Sequence, residues 1–414
     1  MRPLSRLNVE ITVPGSKSYT ARALVIGALA CRETLLKNHL RSADTAHMLQ
    51  GLEALGAKFL ETPQGLLIRG MGGKLFVPTE PISLGGAGTA VRFLTTAASL
   101  CGRRVVIDGS QRMRERPIQD LLDALRPLGI VARSLNRNGC PPVVIEGGQF
   151  EGGKTKLRGS KSSQFLSSIL LASPYAREGV EVEVTESLVS QSYVDLTMAI
   201  MRDFGAQVTH ENYRIFRVLP GSYLGREYMI EGDFSSASYF FAAAAVTGGR
   251  VRVRGINPCT KQGDRGLLDV LEAMGCRVSY GDSSVEVTGG SLRGVDVDMK
   301  TMPDSVQTLA VVAAFAEGTT HVSGIEHLQY KETDRLASLK QELEKLGIQA
   351  TVGDNCLTVR GGRPHGAEIE TYMDHRMAMA FAVAGLRVPE IVIRDSECVN
   401  KSFPAFWALL EELE

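Results

Sequence analysis

No stretch of this chain runs for the roughly 18 uninterrupted apolar residues that a membrane-spanning helix needs, so a membrane is not among its expected partners. Neither sign of charge is in surplus: 46 Lys and Arg stand against 46 Asp and Glu. That balance argues against a protein that grips nucleic acid or anionic lipid through its overall field, and any anion site must be a local concentration of charge. The C-x-x-C pair is absent as well. Seven cysteines, at 31, 101, 140, 259, 276, 356 and 398, are scattered without metal-ligand spacing, as in a reduced compartment, so disulfides and structural zinc are not expected. The opening "MRPLSRLNVEITV" has neither an apolar signal core nor an Arg/Ser-rich transit segment, and the expected location is the cytoplasm.

Two nucleotide motifs are also missing. Walker A requires G-x-x-x-x-G-K-S/T, but no glycine precedes Gly15 at the required distance and Gly15 is not adjacent to Lys17. The dinucleotide fingerprint fails at "GGAGTAV", where Val91 stands in place of its third glycine. Neither ATP nor NAD is indicated.

What is present is repetition. The 414 residues exceed one ordinary core and point to two domains of roughly 200 residues each. "PGSKSYTARALVIGALA" (14–30) returns in outline as "LGGAGTAVRFLTTAASL" (84–100), "RGSKSSQFLSSILLASP" (158–174), "EGDFSSASYFFAAAAV" (231–246), "TMPDSVQTLAVVAAFA" (301–316) and "YMDHRMAMAFAVAGL" (372–386). Starts recur about every 70 residues, each with small or polar residues leading into an apolar helix. A second helix follows with the same period, closed at its C-cap by Gly56, Gly129, Gly205, Gly275 or Gly347 before a strand. Strands fill the gaps, as in "LNVEITV", where Leu7, Val9, Ile11 and Val13 alternate. The expected unit is strand, helix, strand, helix, then a strand or strand pair, six times over. Because the first helix is apolar nearly all round it should be buried, and the second, with its polar face, should lie outside.

The helix starts carry the chemistry. Unpaired N–H groups and the positive end of the macrodipole attract anions there. In "PGSKS", Gly15 permits close backbone approach, Ser16 and Ser18 can cap or donate, and Lys17 adds a full charge. Arg22 lies on the side of Ser18, and Ala21, Leu24, Val25, Ala28 and Leu29 form the buried stripe. A capped helix with a solvated lysine fits this stretch equally well. Other starts are similarly equipped: Gly86, Gly88, Thr89 and Arg92; Ser162, Ser163 and Gln164; His375 and Arg376. "QRMRERPI" contributes Arg112, Arg114 and Arg116, and "KETDRL" contributes Lys331 and Arg335 one turn apart. Guanidiniums at so many helix starts of a neutral chain suggest a ligand with several negative charges.

In order along nearly the whole chain, "PGSKS", "AGTAVRFL", "RMRERPI", "SSQFL", "GDFSSASYF", "KETDRL", "DHRMAMAF" and "CVNKSFPAF" resemble the 5-enolpyruvylshikimate-3-phosphate synthases, or 3-phosphoshikimate 1-carboxyvinyltransferases. The resemblance implies an α/β fold, a two-domain inside-out α/β barrel of six repeated βαβαββ-type units, three per domain. It places a discontinuous domain at 1–13 plus 230–414 and an inserted one at 14–229, closing over substrates bound in the cleft. It implies a step of aromatic amino-acid biosynthesis in the shikimate pathway: the enolpyruvyl group of phosphoenolpyruvate moves to the 5-hydroxyl of shikimate 3-phosphate by addition and elimination, releasing phosphate. No cofactor or metal, no nucleic acid and a monomer are what it leads one to expect.

Carried over by position, shikimate 3-phosphate would meet Lys17, Ser18, Arg22, Ser162, Ser163, Gln164, Ser190, Tyr193, Asp304 and Lys331. Phosphoenolpyruvate would meet Lys17, Gly88, Arg116, Gln164, Arg335, His375, Arg376 and Lys401. Asp304 would be the base at the 5-hydroxyl, Lys331 and Glu332 would handle protons at the enol end, and Lys17 completes the catalytic set. Planar guanidinium forks at Arg335 and Arg376 suit a carboxylate. The residues alone also fit plainer roles. Asp304 after Pro303 reads as an N-cap, "KETDR" as a solvated helix start, His375 as a satisfied polar residue and Cys398 as packing.

The chain departs from the family pattern at Gly86 and His327, each replacing a usual Asn, at Phe93, where Pro is common, and at "SQSY" (190–193), which lacks a basic residue. The sister enzyme that transfers enolpyruvyl to a UDP-linked amino sugar is the nearest rival, but neither "PGSKS" nor "KETDRL" belongs to it. A repeat scaffold that binds polyanions without turnover is a second rival, against which Asp304, Lys331 and Glu332 weigh.

Overall fold

The computed structural model describes residue 3 and residues 7–413; residues 1, 2, 4, 5, 6 and 414, which the sequence reading placed in the discontinuous domain, lie outside the described residues. The chain divides into two compact units, one of Gly15–Ile230 and the other of Met1–Pro14 with Glu231–Glu414. The helices in chain order are α1 (Lys17–Leu29), α2 (Ala43–Ala54), α3 (Gly88–Ala97), α4 (Gln119–Leu125), α5 (Ser163–Ala172), α6 (Gln191–Asp203), α7 (Phe234–Thr247), α8 (Leu267–Ala273), α9 (Val306–Ala314), α10 (Arg335–Lys345), α11 (His375–Gly385) and α12 (Phe406–Glu411).

The same sheet design recurs in both units. In the Gly15–Ile230 unit, Glu227–Met229 pairs parallel with Glu33–Lys37, which pairs antiparallel with Gly65–Arg69 and through it with Lys58–Thr62. The strands Ile82–Ser83 and Gly153–Leu157 open two further sheets of the same kind. In the other unit Asn8–Thr12 pairs parallel with Arg250–Arg254, and Asp296–Asp298 with Thr319–Ser323, each pair extended by an antiparallel hairpin. The last sheet stops at its parallel pair, Glu368–Ile369 with Val392–Ile393, so among the described residues the sixth repeat lacks the hairpin of the others.

Helix burial follows composition. In α7, Phe234, Phe240 and Phe241 are at most 1% exposed, and every residue of α9 and α11 is buried. Each such aromatic or branched side chain removed from water contributes about 1.5–3 kcal/mol, and each unit closes its own apolar core, one around α7, α9 and α11 and the other around α1, α3 and α5. α2 instead buries one stripe, with Thr45, Met48, Gly51 and Leu52 inward. The glycines that close the second helices, Gly56, Gly129, Gly205, Gly275 and Gly347, hold φ between +78° and +113°, a region that penalises a Cβ. The strand reading of "LNVEITV" holds over Asn8–Thr12, with Leu7, Ile11 and Val13 buried.

α1 is buried, as expected of the first helix of a unit, and its enclosure extends beyond the Ala/Leu/Val stripe. All residues from Tyr19 to Leu29 are buried, including Arg22 at 2% exposure, because α1 packs against α2, α3, α5 and α6 and keeps no solvent face. Nor is the approach permitted by Gly15 kept open for a ligand. A Cβ there would lie 1.8 Å from the carbonyl oxygen of Asn38, so the glycine makes room for another stretch of backbone. No helix among the described residues is long and apolar enough to cross a membrane.

Candidate active site

Each unit carries its own cluster of charged groups at helix starts. In the Gly15–Ile230 unit, α1 begins after Ser16 and α3 after Ala87, and neither start has a side-chain cap, which leaves first-turn N–H groups for other acceptors. Lys17 lies at the first of these, its Nζ 3.1 Å from Asp44 Oδ2 in α2. Lys17 and Ser18 line one small cleft with Asp44 and Thr89. Gln164, at the start of α5, donates from Nε2 to Thr89 Oγ1 at 3.2 Å, and the Ser162 hydroxyl caps that helix by accepting from the Gln164 N–H. Ser163 follows, buried.

At the start of α3 a Cβ on Gly88 would stand 2.8 Å from Arg116 Nη1 and 3.0 Å from Arg92 Nη1, the ends of two long side chains. Two buried guanidiniums thus press on one helix start. Arg112 and Arg114, expected beside Arg116, are turned elsewhere: Arg112 pairs with Glu115 at 3.0 Å and Arg114 with Asp108 on the surface. The reason is local, since each finds an exposed carboxylate within six residues along the chain. Arg22 spends its donors on Thr197 Oγ1 (2.7 Å), Ser18 O (2.9 Å) and Tyr193 O (3.1 Å), which ties α1 to α6. Burial pushes its guanidinium down to about 10, while Tyr193 and Tyr19 pull the other way, so it stays charged at neutral pH. Ser190, the residue before α6, holds left-handed backbone at φ 54°, a strain of the kind that persists where surrounding structure enforces it.

The other unit gathers a denser cluster. Arg335, at the start of α10 and 2% exposed, donates to three carboxylates: Asp374 through Nε (2.7 Å), Asp304 through Nη1 (3.2 Å) and Glu332 through Nη2 (3.0 Å). Arg376, at the start of α11, donates to the second oxygen of Asp304 at 2.8 Å and to the Tyr239 hydroxyl at 3.3 Å. Lys401 Nζ stands 3.8 Å from Glu332 Oε1. Burial alone would weaken the Arg335 cation, but Asp374, Glu332 and Asp304 outweigh it and hold the guanidinium well above its ordinary range. His375 Nδ1 lies 3.6 Å from Asp374 Oδ1. Lys331 follows the turn Glu326–Tyr330 and adds its charge to the surroundings of His327.

The N-cap reading of Asp304 does not hold. The residue before α9 is Ser305, no side chain caps that helix, and the Asp304 carboxylate is given to two arginines instead. "KETDR" keeps its i,i+3 pair between Glu332 and Arg335, but the arginine is buried and not solvated. Two residues of the clusters, Asp374 and Asp44, are not among those the sequence marks. Asp374 has no exposure, grips Arg335 and caps α11 through the Arg376 N–H at 2.9 Å. Its signal is an aspartate directly before a helix that turns Ala/Met/Phe-rich after its first two residues. Nothing in the sequence joined Asp44 to Lys17, which lies 27 residues away.

An α/β chain that sets guanidinium–carboxylate clusters at the starts of buried helices is equipped to handle small, multiply charged anions. Its sequence matches the family described as EPSP synthase (3-phosphoshikimate 1-carboxyvinyltransferase) over residues 1–410. It is 48% identical over 400 residues to the 3-phosphoshikimate 1-carboxyvinyltransferase of Methanoculleus marisnigri, covering 96% of this chain and 94% of that protein. With the 3-phosphoshikimate 1-carboxyvinyltransferase of Serratia proteamaculans it shares 42% identity over 425 residues, covering 100% and 98%. The solved EPSP synthase of Acinetobacter baumannii superposes with a TM-score of 0.83 at 28% identity, covering 100% of this chain and 97% of its own. The chain belongs to the EPSP synthase family.

Proposed function

We propose that the protein transfers the enolpyruvyl group of phosphoenolpyruvate to the 5-hydroxyl of shikimate 3-phosphate, as a monomer in the cytosol and as a step of aromatic amino-acid biosynthesis. The observation that carries this reading is the placement of Asp304 between Arg335 and Arg376, its two carboxylate oxygens each taken by a different guanidinium. Those N–H groups suit a phosphoenolpyruvate carboxylate equally well. When the substrate carboxylate takes them, Asp304 is released to accept the proton of the 5-hydroxyl.

The reaction then proceeds in two stages. The 5-oxygen bonds to the central carbon of phosphoenolpyruvate while the methylene carbon gains a proton, giving a tetrahedral ketal phosphate. Loss of a methyl proton then re-forms the double bond as the C–O bond to phosphate breaks. In this scheme Lys331 and Glu332 exchange the proton at the methylene carbon, with Glu332 held by Arg335 and near Lys401. Fixed cations at Lys17, Arg116 and Lys401, with the backbone at Gly88 and the amide of Gln164, oppose charge building on the leaving phosphate. His375 sits with the phosphoenolpyruvate group. The phosphate and hydroxyls of shikimate 3-phosphate fall to Lys17, Ser18, Arg22, Ser162, Ser163, Gln164, Ser190 and Tyr193, with Asp304 and Lys331 at the reacting end.

We read the recurring sheets and buried helices as six units of an inside-out α/β barrel, three in each of two domains bounded at 1–13 plus 230–414 and at 14–229. The repeated parallel pair with its hairpin supports this reading, and the shortened sixth sheet departs from it.

The test is phosphate release from phosphoenolpyruvate. It should require shikimate 3-phosphate. Release supported by UDP-N-acetylglucosamine in its place would assign the protein to the sister reaction, and binding of both anions without release would leave a scaffold.

A further inference from the structure

The turn Gly263–Gly266 carries a carboxylate that the scheme above does not use. Asp264 is 5% exposed. Its Oδ1 accepts from the Ser305 hydroxyl at 2.8 Å, and its Oδ2 accepts from the Ser235 hydroxyl. Ser305 is the chain neighbour of Asp304 and precedes α9, while Ser235 lies in the first turn of α7. The Ser305 hydroxyl therefore leaves its own helix uncapped and ties the Asp304 turn to a second, buried carboxylate.

The charges around this pair come from several elements. Asp304 and Arg376 act on Asp264 from the turn before α9 and the start of α11. On its own turn Arg265 leans toward Asp269 of α8 at 3.7 Å, and at the start of α7 Asp233 caps the Ser236 N–H. Asp304 is in turn faced by Arg335, Arg376, His327 and Tyr239. Two guanidiniums by themselves would hold Asp304 ionised and make it a weak base. A nearby negative charge works in the opposite direction.

We infer that Asp264 is a positioning residue for the transfer reaction, fixing the Asp304 turn through the Ser305 hydroxyl and, by its own negative charge, setting how readily Asp304 takes a proton. The inference rests on Asp304 being the base. Burial first, then the Asp304 charge, pushes the Asp264 carboxyl up, while Arg376 and the two serine hydroxyls favour its ionised form. Asp264 thus responds to the same charge that it modulates.

The experiment is the pH dependence of kcat/KM for phosphate release in the parent, Asp264→Asn and Ser235→Ala, each checked for folding by circular dichroism. Asp264→Asn keeps the shape and removes the charge, so the acid limb should move to lower pH by about 0.5–1 unit. Ser235→Ala removes a donor that favours ionised Asp264, and should move the limb the same way by less. A folded Asp264→Asn enzyme whose acid limb stays with the parent's overturns the inference, however far its plateau falls. Should that variant not fold, an unmoved limb in Ser235→Ala does the same. A parent that releases no phosphate takes down the transferase reading and the inference together, whereas an unmoved limb in an active enzyme takes down the inference alone.

Discussion

Asp374 Oδ2 accepts from Arg335 Nε at 2.7 Å although the two residues are 39 positions apart, and their side chains are 0% and 2% exposed. The same aspartate caps α11 through the Arg376 N–H, so one carboxylate sets the position of both arginines. Removing one partner of a buried pair leaves an uncompensated charge in a dry site. Asp374→Asn should therefore cost about 3 kcal/mol, read as a lower urea midpoint at unchanged m. Glu332 and Asp304 would prove sufficient for Arg335 if the midpoint stayed with the parent's.

Asp304 has 21% of its side-chain surface open, against 2% for Arg335, so it is the more accessible member of the pair. Asp304→Ala should leave shikimate 3-phosphate binding by calorimetry largely intact while turnover falls roughly 10²–10⁴-fold, the usual effect of a lost acid or base. Turnover matching the parent's would reduce Asp304 to a brace for the arginines.

His327 gives a pH prediction. Burial, aided by Lys331 and Arg335 against Asp304, pushes its imidazolium from an ordinary 6.5 down to about 3. The folded chain thus refuses a proton that the unfolded chain accepts. Stability from this residue is full above pH 6.5 and declines as pH falls from 6.5 toward 3, by at most about 1.4 kcal/mol per unit. His327→Asn should lose less stability than the parent between pH 6.5 and 4, measured by denaturant titration at each pH. Parallel losses would mean that the imidazole takes its proton in the folded protein too.

Gly15→Ala should be among the more damaging single substitutions in the "PGSKS" stretch. The new Cβ would meet the Asn38 carbonyl oxygen, a backbone atom, at 1.8 Å, with Ile230 Cγ2 at 3.2 Å on another side. Relief requires moving the start of α1 and with it Lys17, at a cost of about 3 kcal/mol. A thermal midpoint equal to the parent's would mean that α1 shifts freely.

Local order was written locally. An apolar run with no polar face can only be buried, a glycine after a polar-faced helix supplies the left-handed closing residue, and alternation in "LNVEITV" marks a strand, so α7, α9, α11 and the closures at Gly56 and Gly275 were readable without coordinates. The same reading placed α1 inside, but its Ala/Leu/Val stripe gave no sign that neighbouring helices would enclose Arg22 as well.

The sequence by itself determined which residue types stand at the helix starts, since capping, charge and chain flexibility are properties of a few neighbouring residues. Only the tertiary structure decided which of those charges meet. It sent Arg335 to Asp374, gave Lys17 to Asp44, and joined Asp264 to Ser305 across 41 positions. Electrostatic partners are chosen by distance and by burial, and both are set by how helices and sheets pack after the chain has folded back on itself.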